Sequence, residues 1–392
     1  MVVRLRGHPL AGRPVTAAAP VVVACAAFKG ALTAAQACRA VAAGVRLAAT
    51  GVETRAVPVA DGGEGTMDAL VAAARGRRRP GLVHDPLGRL VDAAIGELPN
   101  HQVVVELAQA SGFERLEDAE RDPERTSTYG TGEQLRQALD LGATRIILGL
   151  GGSATNDGGM GAARALGARF LDAGGNELDG TGADLGRVAA IDLSGLDARL
   201  ERCTLEVACD VTNPPVGDDG AAAVFGPQKG ADGAMVARLD AGMSGFLDVV
   251  ERATGRRLHA LEGGGAAGGA AAGFVGLLGA TLTPGAPLVM DAAGLPAALD
   301  GAGLCITGEG ALDAQSLDGK AVSHVAAYAR AAGVPCVAVT GRLDLLPGMI
   351  RRLGLAAAFP INRTLSSLPD ALAATEENLA AMGAAIAGLH TA

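Results

Sequence analysis

Short apolar runs alternate along the chain with Ala/Leu-rich stretches of helical period, which is the grammar of an α/β protein. The run "VVVAC" (Val21 to Cys25) predicts a first buried strand, and Thr33 to Ala49 a helix with Thr33 as N-cap. "VETRAVPV" alternates like a strand and runs into "ADGGEGTMDALVAAA", a glycine turn opening a helix. Near the C-terminus the pattern repeats: strand "LCIT", loop "GEGALDAQSLDG", a helix from about Lys320 and strand "VPCVAVT". The middle reads differently. Hairpin-like strands around "GRLVDAAIGELP" and "HQVVVELA" precede a buried strand, "TRIILGL", and an alanine-rich helix beyond a second glycine turn. This change of texture predicts one domain built from both chain ends and a second inserted between about residues 80 and 290.

Composition narrows the picture. At 392 residues the chain exceeds one typical core. With 49% hydrophobic residues and 58 glycines it is globular and rich in tight turns. Aromatics at 2% leave little for base stacking, and a net charge of −9 disfavours a nucleic-acid surface. The short basic cluster "ARGRRRP" (Ala74 to Pro80) reads as a solvated connector. Six cysteines without CxxC spacing read as buried free thiols of a reducing compartment, and six histidines without HxH or HxxxH spacing give zinc little support. No apolar run reaches the roughly 20 residues of a membrane span. The arginines before "VVVAC" superficially suggest a lipoprotein signal, but Gly12, Arg13 and Pro14 interrupt it. The expectation is a disordered extension over residues 1–19 on a cytoplasmic protein.

Chemistry-bearing residues collect where strands give way to helices, the place where open α/β sheets bind ligands. Lys29 in "AFKGALTA" could reach an anion or simply be solvated. In "ADGGEGT", Asp61 and Glu64 could hold Mg²⁺ through water and phosphates, or complement a helix dipole, while Gly62 and Gly63 permit a tight turn. "GLGGSATNDGG" packs Gly151, Gly152, Ser153, Thr155, Asn156 and Asp157 into seven residues. Backbone N–H groups of such a turn can cradle a phosphate or carboxylate, although it lacks the lysine of a P-loop and Asp157 could be an N-cap. "ACDVTNPPVGDDGAAAVFGPQKGA" offers Asp210, Asn213, Gln228 and Lys229, of which Asp210 and Lys229 are the better candidates for chemistry. "GGGAAGG", with Gly268, is a second glycine platform, and "TGEGALDAQSLDGK" carries Glu309, Asp313, Gln315 and Lys320.

Taken in order, "FKGALTA", "VPVADGGEGT", "GTGEQL", "GLGGSATNDGGMGAARALGA", "ACDVTNP", "FGPQKGA", "GAAGG" and "ITGEGALDAQSLDGK" resemble the bacterial glycerate kinase family from about Val21 onward. The resemblance implies a flavodoxin-like (Rossmann-like) parallel-sheet domain over 20–80 and 290–392, with an inserted α/β domain over 81–289. It also implies phosphorylation of D-glycerate from ATP with Mg²⁺, 2-phosphoglycerate being the favoured product. The partners are then small molecules, with no nucleic acid and no membrane, on a monomer or homodimer. Such transfer needs positioning and charge neutralisation more than a strong nucleophile. Asp157 or Asp210 is the expected base, with Lys29 and Lys229 as cations and Asp61, Glu64, Glu309 and Asp313 around metal and phosphates. Gly62, Gly63, Gly151, Gly152, Ser153, Thr155, Asn156, Asn213, Gln228, Gly268, Gln315 and Lys320 are the expected substrate and nucleotide contacts.

The chain departs from the family pattern in three places. "CAAFKGAL" stands for the usual "PDSFKGSL", so Ala26 and Ala27 replace an aspartate and a serine. Tyr129 stands at the arginine of "TSRGTGE", and Ala311 replaces another usual arginine. These changes leave two alternatives: a kinase for another small hydroxy acid, and a ligand-binding homologue with impaired catalysis.

Overall fold

The computed structural model describes residues 19–313 and 321–391. The sequence-predicted N-terminal extension over residues 1–19, Gln315 and Lys320 therefore lie wholly or almost wholly outside the described residues. The strands are β1 (Val21–Cys25), β2 (Thr54–Ala56), β3 (Arg77–His84), β4 (Leu90–Leu98), β5 (Gln102–Glu106), β6 (Arg145–Gly149), β7 (Arg169–Leu171), β8 (Ala190–Asp192), β9 (Thr204–Ala208), β10 (Thr281–Thr283), β11 (Leu304–Leu312), β12 (Cys336–Leu343) and β13 (Ala357–Pro360).

Five of them form a sheet in the order β13-β12-β11-β1-β2, parallel throughout. The expected parallel sheet built from both chain ends is therefore present. Helices cover both faces, so its central strands β1, β11 and β12 start as apolar, buried runs rather than alternating ones. Val22 and Ala24 of β1 enter one core and Val21, Val23 and Cys25 the other. The first helix, Ala34–Ala48, opens with the predicted cap: Gln36 N–H donates to Thr33 Oγ1, and Thr33 N–H donates to Gln36 Oε1 at 2.9 Å. It packs against the last helix, Thr375–Thr391, which joins the two ends of the chain.

The second sheet runs β10-β9-β6-β5-β4-β3, parallel from β10 to β5 and antiparallel from β5 to β3. The expected hairpin is β4–β5, and β3, which the sequence pattern does not announce, extends it at the edge. The basic cluster is not a connector: Arg77 to Pro80 belong to β3, the edge strand. Pro80 is tolerated there because an edge needs no donor on its open side, and the arginines are solvated, Arg79 pairing with Glu97 at 2.6 Å. An edge strand wet on its outer positions has no apolar alternation to betray it. Between the sheets lies a shared core containing Met67 and Leu70 from the helix Thr66–Ala73, Ile147 of β6, and Leu288 and Val289 of the helix Gly285–Ala292.

Candidate active site

Backbone meets backbone where the two sheets approach. The turn Asp61–Gly65 follows β2, and Gly62 there takes φ +93°. A Cβ on Gly62 would lie 3.0 Å from Gly285 Cα and 3.1 Å from Ala208 Cβ. One on Gly151 would lie 2.8 Å from Gly63 Cα, and one on Gly285 2.6 Å from the Asp61 carbonyl oxygen. The glycines of "ADGGEGT" and "GLGGSATNDGG" are thus used on each other: they let the two turns touch. Glu106, at the end of β5, fixes the contact from below by accepting the Met67 N–H at 2.9 Å at the start of the helix Thr66–Ala73. Its carboxyl is buried, and desolvation raises its pKa against the Met67 hydrogen bond.

Above this seam opens a cleft of about 330 Å³. Asp61, Gly62, Gly63, Gly151, Gly152, Ser153, Asp210, Gln228 and Lys229 all line it, so four separate sequence motifs supply one cavity. Lys229 sits on the turn Pro227–Lys229, buried, and its ammonium donates to Ser153 Oγ at 2.9 Å and to the Thr155 carbonyl at 2.6 Å. Burial pushes its pKa down to about 7, and the charge of Asp157 only partly opposes this. The lysine missing from the glycine turn thus reaches it from another loop.

Asp210, just beyond β9, accepts the Gly285 N–H at 2.7 Å and faces the cleft. Partial burial raises its pKa; the nearby Asp61 charge adds to the shift, and the Gly285 and Ala286 N–H groups oppose it. Asp157 is different. It is fully buried and is not among the residues lining the cleft. Its oxygens accept from Thr128 N–H (2.7 Å), Thr128 Oγ1 (2.8 Å), Gly159 N–H (3.0 Å) and Gly161 N–H (3.2 Å). Gly159 and Gly161 open the helix Met160–Ala165, so the carboxylate ties Thr128 to the start of that helix, with desolvation still raising its pKa.

A larger cavity of about 710 Å³ lies over the carboxyl ends of β1, β11, β12 and β13, at the point where the strand order reverses. Lys29, Asp61, Glu309, Ala311 and Arg342 line it together with Phe28, Leu365 and Leu368. Asp61 therefore faces both cavities. Glu64 lines neither, but a third of about 520 Å³, which it shares with Lys29 and Glu106. Asp313 pairs with Arg342 at 3.6 Å.

Of the remaining expected contacts among the described residues, Thr155, Asn156, Asn213 and Gly268 do not line the cleft. Thr155 and Asn156 are fully buried, and neither the Thr155 hydroxyl nor the Asn156 amide has a hydrogen-bond partner among the described residues. Gly268 packs on them, since a Cβ there would run into the Thr155 carbonyl. Asn213 donates to the Asp219 carbonyl at 2.9 Å. Tyr129, one of the departures, packs edge-on to His84 at 5.6 Å and lies under the Arg164 guanidinium at 5.9 Å, outside the three cavities described. Sequence reasoning missed Glu106 and Arg342. Glu106 carries the signal that singled out Asp210, an acid ending an apolar strand, whereas Arg342 carries none.

Asp61 and Glu309 suit Mg²⁺. Among the described residues no group of three or more His, Cys, Asp or Glu could cage a metal, yet Mg²⁺ commonly takes one or two carboxylates plus phosphates and water. Carboxylate oxygens are the hard donors this ion prefers, and these two line the same cavity.

Comparison with known proteins agrees with this architecture. A family model described as "Glycerate kinase family" matches residues 21–391. The chain is 41% identical over 360 residues to "Glycerate 2-kinase" of Escherichia coli (strain K12), covering 92% of this chain and 94% of the relative. It is 42% identical over 352 residues to "Glycerate kinase" of Bacillus subtilis (strain 168), covering 90% and 92%. A crystal structure of the "putative glycerate kinase 2" from Salmonella typhimurium LT2 superposes with a TM-score of 0.88 at 42% identity, covering 95% of this chain and 98% of that one.

Proposed function

This chain belongs to the glycerate kinase family and is a phosphotransferase with an alcohol acceptor, and from that premise we propose how two of its cavities divide the reaction. ATP supplies the phosphoryl group, D-glycerate receives it, and 2-phosphoglycerate is the product. The observation that carries the reading is that Asp61 lines both the small cleft and the large cavity, so a group passed between them crosses one carboxylate.

Size assigns the occupants. Glycerate suits the cleft of about 330 Å³ and ATP the cavity of about 710 Å³. In the cleft, Lys229 and the N–H groups of the Gly151–Ser153 turn hold the glycerate carboxylate, and Asp210 accepts the proton of the attacking hydroxyl. Asp210 suits this role better than Asp157, whose oxygens are committed to four buried donors. As the new O–P bond forms, the bond from the γ-phosphorus to the bridging oxygen breaks and ADP leaves. Lys29 lies along the phosphate path and opposes the charge that builds there. Asp61 and Glu309 would hold Mg²⁺, which when bound neutralises phosphate oxygens. Leu365 and Leu368 give the large cavity an apolar wall for the base.

We also propose that the two sheets are cores of two domains divided much as the sequence pattern suggests, except that the first boundary falls before β3, whose Arg77–Pro80 pair with β4 of the second sheet; separate hydrophobic cores support the division. Among the described residues no helix is long and apolar enough to cross a membrane. Six free cysteines support a reducing, cytoplasmic setting.

The test is ³¹P NMR of purified protein with ATP, Mg²⁺ and D-glycerate. The expected outcome is ADP and a phosphoester on the C2 hydroxyl. A C3 ester would move the hydroxyl and keep the kinase. Turnover confined to another hydroxy acid would overturn the substrate, and no turnover with any would overturn the reading.

A further inference from the structure

Ala311 of β11 and Arg342 of β12 are register partners on adjacent parallel strands. Both line the large cavity. Parallel neighbours lie about 4.8 Å apart, and register partners project from the same face, so a long cationic side chain from either position covers the same space. Among the described residues lining this cavity, the cations are Lys29 and Arg342, facing the acids Asp61 and Glu309. Mg²⁺ held by the two acids would neutralise only part of a triphosphate, and Lys29 and Arg342 are the side-chain cations here for the rest.

We propose that Arg342 grips the nucleotide's terminal phosphates, supplying from β12 the guanidinium that Ala311 withholds on β11. The inference rests on ATP occupying the large cavity. Its side chain is placed for the role. It is 65% exposed, with Nε 2.8 Å from Asp344 and a terminal nitrogen 3.6 Å from Asp313. Exposed ion pairs of this kind exchange partners at little cost, so the two aspartates aim the guanidinium without committing it. Its planar fork then matches two phosphate oxygens, which a lysine cannot do. Lys29 enters from the other side, its backbone lying 3.5 Å from where a Cβ on Gly310 would stand. The phosphates thus sit between an ammonium from the first loop and a guanidinium from β12.

The test moves the arginine across the strand pair. Four proteins are compared: wild type, Arg342→Ala, Arg342→Lys and the double variant Arg342→Ala/Ala311→Arg. Calorimetry gives the Kd of a non-hydrolysable ATP analogue, and kinetics give kcat and KM for each substrate. Arg342→Ala should lower kcat/KM for ATP by about 10²-fold, with KM for glycerate and thermal midpoint nearly unchanged. Lysine should restore only a minor part, and the double variant should regain at least about tenfold. Unchanged nucleotide affinity and kcat/KM in Arg342→Ala, or a double variant no better than the single one, overturns the proposal. A wild type active on glycerate with an indifferent Arg342 leaves the kinase reading standing. An inactive wild type whose analogue affinity still depends on Arg342 would sink the kinase reading alone.

Discussion

Two aspartates stand beyond neighbouring strands of one sheet, Asp157 after β6 and Asp210 after β9. Both have raised pKa values with burial as the leading cause. Asp157 is sealed in, with four donors on its two oxygens; Asp210 is pinned by Gly285 and faces open space. The difference teaches that a perturbed carboxyl is not in itself a reactive one. What separates structural from chemical use is whether the oxygens have capacity left and a route to substrate.

Replacing each aspartate by asparagine tests that separation. Asp210→Asn should lower kcat by about 10²- to 10⁴-fold, with the thermal midpoint almost unmoved in calorimetry. Near-normal kcat would collapse the contrast. Asp157→Asn should do the reverse. Its amide must turn one donor group toward N–H partners, and denaturant unfolding should show a loss of about 2–4 kcal/mol while kcat per folded molecule changes little. A large drop in kcat at intact stability would reverse the two roles.

The smallest effect sharpens the comparison through Lys229, which touches both regions. Its pKa falls from 10.5 to about 7 on folding. Between those values the unfolded chain binds a proton that the folded chain does not, so stability rises with pH across the window. Lys229→Met keeps the buried stem and removes the titration. The midpoint of wild type relative to this variant should therefore climb from pH 7 to pH 10 in a fluorescence melt. A parallel pair of curves would show that the ammonium stays charged where it lies.

Much of this was legible in the sequence. Continuous apolar runs announced the parallel sheet, since a strand covered on both faces has no polar positions. Strand-end acids, lysines and glycine turns announced Asp61, the Gly151–Ser153 turn, Asp210 and Lys229, all of which meet in one cleft. Partnership was not legible. Nothing in "GGSATNDGG" distinguishes a carboxylate aimed outward from one consumed by Thr128, twenty-nine residues earlier in the chain. Arg342 was invisible for the same reason: its meaning depends on standing beside Ala311, which only the register of β11 and β12 reveals. The edge strand β3 escaped because solvated arginines follow no period.

The seam of bare glycines has a consequence for how this protein can change over generations. A side chain added at position 62, 151 or 285 would run into main-chain atoms of the facing segment. A clash with a neighbouring side chain can be relieved by trimming that neighbour. A clash with main chain cannot, because every residue carries the same main chain. These positions are therefore closed to rescue by point substitutions opposite them, and substrate preference is left to drift on the walls around the seam.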